Sequence, residues 1–302
     1  MPEQKTPQIL SGFVIKILAF GLMLFDHIGF FLMNRYFGVN PGLYQMAYVF
    51  RCIGRCAMPL FALLCAEAIH FSKNGWKYFF RLLAMHIGIS LVLTIYIYAI
   101  PGSNLTADQL SGNAFADLSL LALTLLLFKS KGWKKTLAIL PIALAALAYG
   151  VQVYEYANSV TIHWFPNYLR PAYSLLGLLI GVGFFYARPL GELVSKPFIK
   201  NTGITMEAYK ESKGYQKIVN IIGVSLFFLV LVIFWGISYI GYTYDFRPYD
   251  NYLMQMQSYC LLAIIPIYFY SGARGYDSKP FRIFSYLFYP VHLAILFLIF
   301  SI

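Results

Sequence analysis

The feature that most restricts this chain is a succession of apolar runs, each about 17 to 25 residues long and separated by short polar breaks. At about 1.5 Å of rise per residue, a helix of that length crosses the hydrocarbon core of a bilayer. The composition agrees: of 302 residues, 60% are hydrophobic, 19% aromatic and only 12% charged, too apolar for an ordinary soluble domain. The fold class that follows is all-α, a polytopic bundle of transmembrane helices occupying residues 1–302 as a single domain.

Apolar runs read against their flanks place about nine spans, near 12–33, 54–71, 78–100, 114–128, 135–153, 172–187, 217–240, 255–271 and 283–301. The fourth and sixth are short, so each is expected to be tilted, re-entrant or sheltered inside the bundle. No small-residue cleavage pattern follows the first run, which is therefore read as a retained span and not a signal peptide.

Lysine and arginine near span ends are retained in the cytoplasm. Lys5 and Lys16, then Lys73 and Lys77, then Lys129, Lys131, Lys134 and Lys135 mark alternate ends as cytoplasmic. So do Arg188, Lys196, Lys200, Lys210, Lys213 and Lys217 in a basic loop over 188–217, and Arg274, Lys279 and Arg282 in the last connection. The intervening loops, Asn104 to Asp108, Tyr154 to Arg170 and Tyr242 to Tyr252, face outward, which puts the N-terminus in the cytoplasm. The net charge of +11 is thus accounted for by topology and by anionic lipid headgroups, and nucleic acid is not needed as a partner. Trp164, Tyr168, Tyr242, Tyr244 and Tyr252 fall where an outer aromatic belt would lie. Cys52, Cys56, Cys65 and Cys260 read as small buried hydrophobes, with no spacing that makes a metal site. No repeat relates the two halves of the chain, as the repeat-built transporters require.

An ionisable residue inside a span is costly and marks a functional candidate. Asp26 and His27 lie in the first span, His27 eleven residues past Lys16 and so about 16 Å in. His292 is ten residues past Arg282, at about 15 Å, so two histidines from opposite ends of the chain share a depth. Arg51 and Arg55, four residues apart, share a helix face at the outer mouth of the second span, either as interfacial anchors or as partners for Asp26. Neighbouring helical residues point about 100° apart, so Asp26 is expected to pair with an arginine and not to orient His27. Glu67, His70, Arg81 and His86 form a second candidate cluster on the cytoplasmic side, in which Glu67 either pairs with Arg81 to neutralise both or has a catalytic role. Each histidine has the alternative of simply bonding a neighbouring helix.

Four segments carry a family resemblance. The run from Lys16 to Gly29, KILAFGLMLFDHIG, resembles the opening span of the TraX family. Arg51 to Phe61 (RCIGRCAMPLF) is similar to its second-span signature, Lys77 to Leu82 (KYFFRL) to the start of its third span, and Tyr289 to Leu293 (YPVHL) to its last-span motif. The resemblance implies a membrane-embedded acetyltransferase of the bacterial cytoplasmic membrane, taking acetyl from acetyl-CoA to a pilin-like protein or a surface component. Carried over by motif, the polar signature falls on Asp26, His27, Arg51, Arg55 and His292. One departure is Ala68 after Glu67, where the family often has glycine.

Chemistry assigns the roles. His27 is the general base, since imidazole titrates near neutrality, and His292 a relay or second base. Arg55 is the candidate oxyanion donor. Lys73, Lys77, Arg81, Arg274 and Arg282 would meet the phosphates of CoA. Two other classes stay open: a proton-coupled transporter using Asp26, His27, Glu67 and His292, and a non-catalytic membrane partner in surface-fibre assembly.

Overall fold

The structure, a computed structural model, describes residues 10–99, 113–200, 202–243 and 256–301. Lys5, the loop from Asn104 to Asp108, Tyr244 and Tyr252 lie outside the described residues. Among those residues seven helical segments are long and apolar enough to cross a membrane: Gly12–Tyr36, Pro41–Phe71, Gly75–Ala99, Gly132–Glu155, Asn167–Ile199, Lys213–Gly241 and Lys279–Phe300.

Helix α1 (Gly12–Tyr36) starts at Ser11, whose hydroxyl accepts from the Val14 N–H, and turns back into α2 (Pro41–Gly54), capped by Asn40 with Pro41 in the first turn. A turn at Arg55 and Cys56 separates α2 from α3 (Ala57–Phe71). Its cause is Pro59, which has no N–H for the Arg55 carbonyl and whose ring collides with it. Glycines let α1 and α2 touch: a Cβ on Gly29 would sit 2.7 Å from the Ala47 carbonyl oxygen, and one on Gly54 2.7 Å from the Asp26 backbone nitrogen.

Helices α4 (Gly75–Ala99), α5 (Ala114–Lys129), α6 (Ile139–Asn158) and α7 (Ser174–Ile199) follow. Of these α4 buries only Phe79 and Leu82 and turns the rest of its apolar surface outward, as lipid-facing helices do. Helix α3, with α5 and α7 beside it, forms the centre: Leu60, Ile69, Leu121, Leu125 and Ile180 are fully enclosed there. A short α8 (Met206–Lys210) leads to α9 (Lys213–Thr243). The chain then forms a 3-10 turn, Tyr259–Ala263, which packs by α2 and α3, and the five-residue α10 (Ile264–Tyr268), which packs by α9, before α11 (Lys279–Ser301).

Several expectations change. The second span begins at Pro41, not near 54, so it is longer than its hydropathy indicated. The sixth run is no short element, since α7 has 26 residues and continues through Arg188. Residues 188–199 are therefore helix, and the basic connection shrinks to 200–212. The fourth run is short, as expected, at 16 residues. The eighth, 255–271, is a broken segment because Pro266 and the 3-10 turn interrupt it, and Met256–Tyr268 is too short to span alone. Ends that carry lysine gather: Lys129 donates to the Ile69 and His70 carbonyls, and Gly12 and Phe13 bond the carbonyls of Ala273 and Arg274.

Candidate functional site

Two polar groups lie halfway along α1, on different faces. Asp26, fourteen residues past Gly12 and so about 21 Å along the helix, faces α2. Its Oδ2 accepts from Arg51 Nη1 at 2.8 Å, and its Oδ1 lies 3.1 Å from Arg55 Nη2. Arg55 also donates to the Tyr173 hydroxyl at 3.3 Å, and the Arg51 guanidinium lies over the Phe30 ring. The arginines are not at the outer mouth: ten and fourteen residues past Pro41, they sit about 15 and 21 Å along their span. The α2 hydrogen-bond ladder carries them inward, and Asp26 balances part of their charge where water cannot.

His27 faces α11 instead. Its Nδ1 is 2.7 Å from Nε2 of His292, and Nδ1 of His292 is 2.6 Å from the Phe288 carbonyl oxygen. A carbonyl oxygen only accepts, so His292 carries its proton on Nδ1. Neutral His292 then offers a lone pair at Nε2, and His27 must donate from Nδ1. The chain of bonds therefore leaves Nε2 of His27 with the unshared lone pair of the pair. Arg55 bonds Asp26 and the Tyr173 hydroxyl on the α2 side of the site, while His27 turns to α11.

The five cations expected at a cytoplasmic mouth come together. Lys73, Lys77, Arg81, Arg274 and Arg282 line one cavity of about 850 Å³, joined by Lys16. Asp277, in the connection before α11, accepts from Arg282 at 2.8 and 2.7 Å and pairs with Arg274. The Arg282 bond, with the charges of Arg274 and Lys16, holds the Asp277 carboxyl below the usual carboxylate range. Deeper walls are apolar, with Phe20, Phe61, Leu64 and Leu118, and the inner end is formed by Met23, Phe115 and Tyr289. Met23 is eleven residues past Gly12 and Tyr289 ten past Lys279, so the cavity reaches about 15 Å into the bundle.

The second expected cluster does not assemble. Glu67 pairs with Arg188, not Arg81, through two bonds of 2.7 and 2.6 Å, and Tyr270 donates to the same carboxylate. His70 bonds the Phe185 carbonyl oxygen at 2.8 Å and stacks on that ring, and Arg81 belongs to the cation-lined cavity. Arg188 was hidden from sequence reasoning because a cation beside other cations reads as a loop signal. Asp117 was also missed, although a lone carboxylate in the apolar run Ala114–Phe128 was a signal. It accepts from the N–H groups of Ala172, Tyr173 and Ser174 at 2.9, 2.9 and 3.1 Å and so caps α7 from another helix. The four cysteines are buried and free. Among the described residues no group of three His, Cys, Asp or Glu side chains could hold a metal ion.

A family model described as TraX protein matches residues 11–184, which covers α1 to α6, the first turns of α7 and the Asp26, His27, Arg51 and Arg55 positions. The chain belongs to the TraX family. It is a multi-pass membrane protein of the bacterial plasma membrane. No curated protein and no solved structure matches it. The last helix of this TraX-family chain, with Tyr289 and His292, lies beyond the matched residues.

Proposed function

We propose that this TraX-family protein is a membrane-embedded acyltransferase that moves an acetyl group from acetyl-CoA to an amine or hydroxyl of a pilin-like protein or surface component. The observation that carries this reading is the His27–His292 pair, set about one helical turn beyond the inner end of a cation-lined cavity. A cavity of about 850 Å³ lies within the usual range for small-molecule sites. Its cations would hold phosphates at the mouth, and its apolar inner walls suit an uncharged thioester arm.

The acceptor attacks the thioester carbonyl, forming a C–N or C–O bond, and loses a proton to Nε2 of His27. His292 accepts the Nδ1–H of His27 and so stabilises the imidazolium, while the Phe288 carbonyl fixes the orientation of His292. Collapse of the tetrahedral intermediate breaks the C–S bond, and the proton leaves His27 for the departing thiolate. No oxidant or reductant is needed. In this reading Asp26, Arg51 and Arg55 position α1 and supply a fixed positive field behind His27.

The test is transfer of labelled acetyl from acetyl-CoA in membranes containing wild-type protein or His27→Ala. Transfer present in wild type and absent in a well-inserted His27→Ala supports the assignment. Equal labelling in both overturns the base, and uptake driven by a proton gradient without an acylated product overturns the enzyme.

A further inference from the structure

The cavity and the histidine pair are neighbours, and of the three side chains at the cavity's inner end Tyr289 packs its ring against both imidazoles. Tyr289 lines the inner end of the cavity and is only 8% exposed. Its ring meets His27 edge to face at 5.6 Å between centroids, His292 at 5.8 Å and Phe115 at 5.7 Å. His27 is four residues past Met23 and His292 three past Tyr289, so both imidazoles lie about 5 Å beyond the cavity floor. His27 itself does not line the cavity.

This arrangement matters because a base beside a thioester activates water as readily as an acceptor. Water attacking the carbonyl would give a carboxylic acid and a free thiol, its proton passing to His27 and then to the thiolate, and the donor would be wasted. We propose that Tyr289 is a partition: its ring keeps the water of the cation-lined cavity away from the His27–His292 pair. The consequence for donor hydrolysis rests on the acyltransferase reading, in which the acyl end of the donor displaces the ring as it binds; the exclusion of water from the empty cavity does not. The ring does the shielding, because the contacts to both imidazoles and to Phe115 are made by its faces and edges. Tyr289 is therefore a positioning residue and Phe can stand in for it.

Two measurements separate the partition from the activity. The first places a thiol at position 27 by His27→Cys and adds a charged, water-borne methanethiosulfonate reagent, with the adduct located by mass spectrometry. Such reagents need the thiolate, which forms only where water reaches. Position 27 should stay unlabelled beside Tyr289 or Tyr289→Phe and become labelled beside Tyr289→Ala. If Tyr289→Ala does not accumulate, Tyr289→Val removes the ring with less lost volume. Labelling beside native Tyr289, or none once the ring is gone, overturns the proposal. The second measures free thiol released from acetyl-CoA against acylated product. Tyr289→Ala should release thiol in excess of product, Tyr289→Phe should not, and adding His27→Ala should abolish the excess. Excess thiol that persists without His27 overturns the partition. If wild type transfers no acetyl group at all, the enzyme reading fails while the labelling result still decides the partition.

Discussion

Asp26 and His27 are adjacent, yet the structure gives them unlike jobs. Asp26 is 7% exposed and serves the buried Arg55 and the partly buried Arg51, whereas His27 bonds one neutral ring. Removing one partner of a buried ion pair leaves uncompensated charge and costs about 3 to 5 kcal/mol. Asp26→Ala should therefore lower the thermal unfolding midpoint in detergent steeply, while His27→Ala should shift it little and remove transfer. Similar stability losses from both substitutions would mean that the histidine pair is also a structural joint.

Helix α7 starts in an unusual way. Its first residue, Ser174, has φ of 42°, in the left-handed region that a residue with a side chain seldom adopts. The conformation is held from outside the helix, by Asp117 of α5 accepting three successive backbone N–H groups. Unsatisfied buried donors cost about 1 to 3 kcal/mol each, and a lost cap about 0.5 to 2 kcal/mol. Asp117→Ala should destabilise by a few kcal/mol, on the order of that sum of terms. Asp117→Asn should cost less, because Oδ1 alone takes the Tyr173 and Ser174 bonds. Chemical-denaturant midpoints in detergent for the two variants check the order. Since Tyr173 also receives Arg55, loosening this start should disturb the Asp26 cluster as well.

The bundle as a whole concentrates positive charge on one cavity. Lys16, Lys73, Lys77, Arg81, Arg274 and Arg282 line it; Asp277 is tied to Arg274 and Arg282, and Glu67 to Arg188. An anionic donor would be drawn there by the summed field, an effect that salt screens over about 8 to 10 Å. On the acyltransferase proposal, Lys77→Glu should raise KM for acetyl-CoA with kcat nearly unchanged, and added salt should raise the wild-type KM in the same direction. A fall in kcat at constant KM would instead place Lys77 among groups felt only in the transition state.

Depth along the first and last spans was legible in the residues themselves. Hydropathy and a fixed rise per residue are local properties, and they sufficed to put His27 and His292 at one level, to recognise the bundle class and to collect the cations of the cavity mouth. The expected pairing of Asp26 with an arginine also needed only the 100° turn between neighbours. Which way each side chain faces around its helix was not legible, because that angle is settled by contacts with segments far away in the chain. Glu67 found Arg188, 121 residues on, and Asp117 a helix start 55 to 57 residues away. The same packing drew Arg51 and Arg55 in from the membrane surface, brought the two histidines into hydrogen-bond contact across 265 residues, and set the Tyr289 ring against both.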